Sequence, residues 1–259
     1  TTSLPADRTQ HGSAVWNNRI YIVGGLDDSA AATNTVYVSP QLNSGGDIGS
    51  AWSSSTAFNV ARTGTAATAY ANNLYIFGGT TGSNYLNDSQ YTQINNDGTV
   101  DRWSYTTSLP TVLRDAKAVS ANGYIYLVTG RTANTSCSPK VLITPISANT
   151  TIASGNNPTG VGEWYETNVR YAGGRYGAAV AYDKGKMYTM GGGCATVLGP
   201  NYTTGTIQQT GNTITGTGTN WTDDYIGAAI TYADASTAVI NSVNSTTSLT
   251  VSVSKTVAA

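Results

Sequence analysis

The chain has 259 residues, of which only 10% are Asp, Glu, Lys or Arg, against about 25% in an average globular protein. Its 29 glycines, and its 17 tyrosines beside 2 phenylalanines, indicate an extracellular β-protein with a Thr-, Ser- and Asn-rich surface rather than a cytosolic enzyme. A net charge of −1 without a cluster of Lys or Arg argues against binding to nucleic acid, and no apolar run reaches the ~18 residues of a membrane helix.

A repeat organises the first two hundred residues. Four segments share an arginine, a small apolar stretch, a two-residue polar pair, a β-branched and aromatic stretch, and a closing glycine motif. The arginines of the four segments are Arg8, Arg62, Arg114 and Arg175. Tryptophans follow the first three glycine motifs, at Trp52, Trp103 and Trp164. The segments are therefore predicted to be copies of one structural unit.

Each unit is predicted to contain four short strands. In the first unit they cover residues 13–15, residues 19–23, residues 35–38 and the stretch that carries Trp52. The small first strand recurs at residues 66–67, 118–119 and 178–180. Hairpin turns are predicted at pairs that tolerate positive φ, which are Asn17–Asn18, Asn72–Asn73, Asn122–Gly123 and Lys184–Gly185.

The glycine pair, the tyrosine in the strand before it and the downstream tryptophan resemble the kelch repeat over about residues 1–195. This resemblance implies an all-β fold, a kelch-like β-propeller of which about four blades or partial blades lie in this chain. The third repeat has Thr129-Gly130 in place of two glycines, and the fourth shows only its inner hairpin. Family propellers usually have more blades, and the chain begins with Thr1. We therefore expect that the chain is a fragment or a processed product, and that neighbouring sequence completes the ring of blades.

After Gly199 the repeat gives way to a Thr/Gly-rich stretch. Alternating residues predict strands at 213–215, 238–240 and 249–253. We predict a propeller over residues 1–199 and a small β-sandwich-like module over residues 200–259. The tail resembles small β-modules of phage structural and bacterial surface proteins. The alternative is that it supplies irregular outer strands to the last blade.

Catalytic or metal-binding groups are sparse, and we predict no metal site, cofactor or catalytic residue. The single histidine, His11, excludes a self-contained copper site of the kind in kelch oxidases, which requires two histidines. A structural hydrogen bond is the simpler role for His11. The residues Asn95, Asp97, Thr99 and Asp101 alternate like calcium ligands, but a turn between the third and fourth strands explains them better.

Pairs of carboxylates could support hydrolysis or cleavage of glycosidic bonds. All of them lie in predicted turns or loops, where solvated acids are ordinary. The candidate pairs are Asp27/Asp28, Asp97/Asp101, Glu163/Glu166 and Asp223/Asp224.

The four repeated arginines are the main candidate ligand-binding residues. Arg8, Arg62, Arg114 and Arg175 each precede an inner strand, in loops that in kelch propellers open around the central channel. A ring of guanidinium groups there could bind carboxylates or phosphates. Alternatively, each arginine bonds carbonyls of its neighbouring blade and is structural.

The two cysteines, Cys137 and Cys194, lie in corresponding loops of consecutive repeats. This placement predicts a disulfide, which is typical of extracellular proteins. Two buried free thiols are the alternative.

These features predict a non-catalytic binding or adhesion protein that is extracellular, on a cell surface or on a virion surface. Propeller loops would recognise a glycan or protein ligand, and the protein would be part of a larger surface assembly. Two alternatives stay open: a carbohydrate-active enzyme (glycoside hydrolase or lyase) that uses a carboxylate pair, and a structural subunit of an appendage or fibre.

Overall fold

The computed structural model describes residues 2–133, 136–148, 158–170, 174–194, 205–221, 225 and 229–258. These residues form antiparallel strands connected by turns and loops, so the all-β prediction is confirmed. Among them, no helix has the length and apolarity needed to span a membrane.

The first two repeats each fold into a four-stranded sheet in which the strands pair in chain order. Blade 1 consists of β1 (Gly12–Trp16), β2 (Arg19–Val23), β3 (Val36–Val38) and β4 (Ser53–Ser55). Blade 2 consists of β5 (Ala66–Tyr70), β6 (Asn73–Phe77), β7 (Ser89–Gln93) and β8 (Ser104–Thr106).

The third repeat contains extra strands. Blade 3 has the inner strands β9 (Lys117–Ala121) and β10 (Tyr124–Val128), and a small hairpin of β11 (Arg131–Ala133) and β12 (Ser136–Cys137) follows them. The long strand β13 (Lys140–Ala148) then pairs with two segments, β14 (Pro158–Val161) and β15 (Tyr165–Arg170). Blade 4 has an inner hairpin of β16 (Ala179–Asp183) and β17 (Lys186–Met190).

The inner hairpins turn as the sequence predicts, with one change of position. Both residues of the turn have positive φ at Asn17–Asn18, Asn122–Gly123 and Lys184–Gly185. In blade 2 the turn residues are Ala71 and Asn72, one position earlier than predicted, because Asn73 already pairs with Tyr70 as the first residue of β6.

The hydrophobic core lies between the blades. Strand β6 is apolar on both faces, since alternate side chains point to opposite sides of a strand. Leu74 and Ile76 pack with residues of blade 1, whereas Tyr75 and Phe77 pack with residues of blade 3. All four side chains are at most 1% exposed. Strand β6 is apolar from Leu74 to Phe77 because the sheet of blade 2 is packed between the sheets of blades 1 and 3.

The repeated tryptophans join each blade to the one before it. The indole nitrogen of Trp103 donates to the carbonyl of Thr56 at 3.0 Å, and that of Trp164 donates to Thr107 at 3.1 Å. Both acceptors directly follow the outer strand of the preceding blade. The tryptophans themselves lie just before β4, β8 and β15 rather than within the fourth strands as predicted.

A second connection runs along the chain segments that enter the inner strands. The amide of Gly64 donates to the carbonyl of Gln10 (2.8 Å), the amide of Asp115 to Gly64 (2.7 Å), and the amide of Gly177 to Asp115 (3.1 Å). We call this series of inter-blade hydrogen bonds the entry ladder. It holds the entry segments of all four blades side by side.

The tail forms a sheet of its own. Its strands are β18 (Thr206–Thr217), β19 (Ala229–Thr231), β20 (Thr237–Ser245) and β21 (Ser248–Val257), in the sheet order β18-β21-β20-β19. A separate buried cluster, including Ile214, Trp221 and Leu249, packs against it. The three predicted strands lie within β18, β20 and β21, and β19 was not predicted. The division of the chain into domains at residue 199 stays a prediction.

The closing glycines are required by the close approach of neighbouring backbone. At Gly79 φ is +100°, and a Cβ there would lie 2.8 Å from the carbonyl oxygen of Thr63. Gly82 has nearly the same φ, +98°, but no atom within 4 Å of the corresponding Cβ position. Substitutions at these two glycines therefore distinguish the energetic cost of backbone strain from the cost of a steric collision.

We predict that Gly79→Ala lowers the free energy of unfolding by about 2 kcal/mol more than Gly82→Ala, because only the first change adds a collision to the unfavourable φ. Urea-induced unfolding of the two variants and the wild-type chain measures the difference. Equal losses for the two variants would show that the contact with Thr63 is not a constraint.

Candidate functional site

A cavity of about 340 Å³ lies where the entry ladder brings the four blades together. Each blade contributes at least two of its lining residues. They are Gln10, His11, Gly64, Thr65, Asp115, Ala116, Lys117, Arg131, Tyr176 and Gly177. We call this the entrance cavity.

A second cavity, of about 520 Å³, lies between the inner strands β1, β5, β9 and β16. Its lining consists of apolar, Ser, Thr and Tyr side chains, such as Ser13, Ala67, Ala118 and Ala181. No charged residue is part of that lining. Of the two cavities, only the entrance cavity is therefore lined by charged residues.

Asp115 is the acceptor at the centre of the entrance cavity. Its Oδ2 atom accepts hydrogen bonds from Arg131, at 3.0 Å from Nε and 2.5 Å from Nη2. The same oxygen lies 3.1 Å from Nε of Arg114. Nη2 of Arg114 also donates to the side-chain oxygen of Gln10 at 3.0 Å. One carboxylate thus holds two guanidinium groups at the edge of the cavity.

Arg131 is fixed on a second side by an aromatic ring. Its guanidinium carbon lies 4.1 Å from the centroid of the Tyr176 ring, a cation–π contact between blades 3 and 4. Together with the ion pair to Asp115, this contact leaves the guanidinium little freedom to reorient. The arginine is therefore pre-organised before any ligand arrives.

The disulfide joins the two segments that form the contact between Arg131 and Tyr176. Cys137 is bonded to Cys194, with 5.9 Å between their Cα atoms, as the sequence predicts. Arg131 pairs with Cys137 in the β11–β12 hairpin, and Tyr176 pairs with Gly193, next to Cys194. The covalent bond therefore ties together the two segments that present the arginine and the tyrosine.

Lys117 and His11 complete the charged lining. Lys117 is exposed and has no ion-pair partner among the described residues. Burial lowers the pKa of His11 below 6.5, and the positive charge of Lys117 lowers it further. The imidazole is consequently neutral at pH 7.

The structure places the four arginines of the predicted basic ring in different surroundings. Arg62 is 0% exposed. Its guanidinium is bonded to both carboxylate oxygens of Asp88, at 2.7 and 2.8 Å, and to the carbonyls of Val60 and Gly78. Every nitrogen of this buried group has a protein partner, which favours the structural alternative for Arg62. The ligand-binding role of the four arginines stays a prediction.

The other arginines in register are held in a similar way. Arg175 donates to the carbonyl of Gly191 at 2.9 Å, the equivalent of the bond from Arg62 to Gly78. Arg8 donates to the hydroxyl groups of Thr35 and Tyr37, each at 3.0 Å. Most of these bonds lie within the arginine's own blade, whereas the structural alternative expected carbonyls of a neighbouring blade.

Arg114 is not equivalent to the other three arginines. Gly25, Gly79 and Gly130 donate their amides to Arg62, Leu113 and Arg175, respectively, so Leu113 occupies the arginine position in blade 3. Leu113 is buried between blades 2 and 3, where an apolar side chain fits. Arg114 therefore lies one residue beyond the arginine position of the repeat, where its side chain contacts Asp115 at the entrance cavity.

The proposed carboxylate pairs do not form a catalytic site among the described residues. Asp27 accepts hydrogen bonds from the amides of Ser29 and Ala31 in its own turn. Glu166 pairs with Lys140 at 3.0 Å on an outer strand, and Glu163 is exposed. None of these carboxylates lines either cavity, and Asp223 and Asp224 lie outside the described residues.

The possible calcium loop is a turn. Oδ1 of Asp97 accepts hydrogen bonds from the amide and the hydroxyl group of Thr99, at 2.9 and 2.7 Å. These hydrogen bonds lower the pKa of Asp97. The amide group of Asn95 donates to Asp101 at 2.9 Å, so the alternating residues bind one another. In the part of the chain that the structure describes, no three His, Cys, Asp or Glu residues are grouped to hold a metal ion.

The sequence did not identify four residues of the site: Asp115, Lys117, Arg131 and Tyr176. They occupy different positions in their repeats, so comparison between repeats does not select them. The one available sign was that Asp115 and Lys117 flank the start of the third inner strand. The bridge between Arg131 and Arg114 within blade 3 brings Arg131 to Asp115, and the contact with Tyr176 joins blades 3 and 4.

The comparisons with known proteins support the repeat. Residues 7–38, the first part of blade 1, match the family model for the Kelch motif. None of the curated proteins compared with the chain matches it. Kelch domains generally bind protein partners, and the family is generally non-enzymatic. The motif and the all-β blades are therefore consistent with a kelch-like β-propeller.

We predict that Arg62→Met lowers the free energy of unfolding by about 3–5 kcal/mol, because it leaves Asp88 and the carbonyl of Gly78 without their buried partner. Arg8→Met, which removes a half-buried arginine from the same repeat position, is the control and should cost much less. Chemical unfolding monitored by tryptophan fluorescence measures both. If Arg62→Met were as stable as the wild-type chain, the structural role would be wrong.

Proposed function

We propose that the protein is a non-catalytic binding protein, extracellular or on a cell or virion surface, whose ligand docks at the entrance face of the propeller. The ligand is a protein or a glycan. The observation that carries the proposal is the entrance cavity itself, in which four blades present fixed polar and charged groups around one opening.

The geometry of the cavity favours binding over catalysis. Glycoside cleavage requires two carboxyl groups, one of which is protonated and donates to the leaving group. Among its described lining residues, the cavity has only the carboxylate of Asp115. Two guanidinium groups contact one oxygen of this carboxylate, so its position is fixed by protein donors.

Two features support a location outside the cytosol. The Cys137–Cys194 disulfide is of the type that persists in oxidising compartments. The low content of charged residues and the Thr- and Asn-rich surface suit the same setting. The tail module would then be one attachment of the propeller to a larger surface assembly.

The test is retention without turnover. The 259-residue chain is immobilised and exposed to an array of neutral and acidic glycans and of peptides, while released reducing ends and peptide fragments are measured. We expect retention of some probes and no products. Steady release of products, or the absence of any retained probe, would contradict the proposed function.

A matched pair of variants locates the binding face. Lys117→Trp places a bulky side chain in the entrance cavity, so retention should fall. Lys186→Trp makes the same replacement at another exposed lysine, next to the hairpin turn at the opposite end of blade 4, and should leave retention unchanged. Equal effects of the two variants would place the ligand elsewhere.

A further inference from the structure

We propose that the entrance cavity binds a side-chain carboxylate, from an Asp or Glu residue of a protein partner, between Lys117 and Arg131. The inference rests on the proposed function, because it names the chemistry of the ligand at the same site.

The cavity has a surplus of positive charge. Lys117 and Arg131 are part of its lining and Arg114 is adjacent, against the single carboxylate of Asp115. The whole chain carries a net charge of −1, so this surplus is a local feature. The ammonium group of Lys117 is exposed and has no ion-pair partner among the described residues.

Arg131 offers an oriented donor beside that charge. Its Nε and Nη2 atoms are used by Asp115, and one face of the guanidinium rests on Tyr176. Nη1 makes no hydrogen bond within the described residues. Because the ion pair, the ring and the nearby disulfide already hold the guanidinium, little conformational entropy is lost when a carboxylate binds to it.

The lining favours an acidic peptide over an acidic sugar. Sugars bind through the open face of an aromatic ring together with polar groups. Besides the His11 imidazole, the described lining has one aromatic ring, that of Tyr176, and the Arg131 guanidinium covers one of its faces at 4.1 Å. A volume of about 340 Å³ suits one side chain and its nearest neighbours. Asp115 also opposes a dianionic phosphate more than it opposes a monoanionic carboxylate.

The experiment uses a capped hexaglutamate peptide, with capped hexaglutamine as the neutral control. Isothermal titration calorimetry at low and at physiological salt measures binding to the 259-residue chain. We expect the hexaglutamate to bind, with an affinity that falls as salt rises, and the hexaglutamine not to bind. Lys117→Gln should weaken the binding about tenfold, whereas Lys186→Gln, which removes the same charge far from the cavity, should leave it unchanged.

The single histidine supplies a readout at the site. His11 is the only imidazole in the chain, so its ring protons give one resolved set of NMR signals. Hexaglutamate should shift these signals in the wild-type chain and in Lys186→Gln, and only at higher concentration in Lys117→Gln. The five tryptophan indole signals of Lys117→Gln without peptide should keep the dispersion of the wild-type chain, which reports that the variant is folded.

Three results would overturn the inference. One is hexaglutamate binding that Lys117→Gln does not weaken or that leaves the His11 signals unmoved. The second is that oligogalacturonate, an acidic sugar probe, or inorganic phosphate binds in the cavity while hexaglutamate does not. The third is that none of these probes binds. Each of them leaves the proposed function standing if the array still retains other ligands without turnover, so the two failures are distinguishable.

Discussion

The entry ladder is the constraint on which the rest of the structure depends. Amides of Gly64, Asp115 and Gly177 donate to carbonyls of the preceding blade and so fix the spacing of the four inner strands. The spacing is close. A Cβ at Gly64 would collide with the carboxylate of Asp115, and Gly64 has a φ of +64° that glycine adopts without strain. At Gly64 the approach of the neighbouring blade therefore leaves no room for a side chain.

The same constraint determines the chemistry of the entrance. Because the ladder places the entry segments of different blades side by side, Gln10 of blade 1, Asp115 of blade 3 and Tyr176 of blade 4 surround one cavity. Asp115 takes part twice, with its backbone in the ladder and its carboxylate holding two arginines. Such a group stabilises a fixed arrangement of donors, which suits recognition of a ligand.

The sequence predicts the repeating parts of this fold well, since they depend on local chemistry. Positive-φ pairs such as Asn17–Asn18 give the hairpins, and corresponding loops bring Cys137 to Cys194. The arginine comparison failed at Arg114 because residue identity suggested a repeat position that the backbone register assigns to Leu113. The entrance cavity was not predictable either. Its charged residues Asp115, Lys117 and Arg131 occupy different positions in the repeat, and the stack of Arg131 on Tyr176 depends on a contact between blades.

Native-state hydrogen exchange of the ladder amides tests the central claim most directly. If the ladder holds the blades together, the amides of Gly64, Asp115 and Gly177 should exchange only through large openings of the propeller. Their free energies of opening would then approach the free energy of global unfolding. The amide of Gly49, in an exposed loop of blade 1, provides the unprotected reference. Ladder amides that exchange as fast as that of Gly49 would contradict the account.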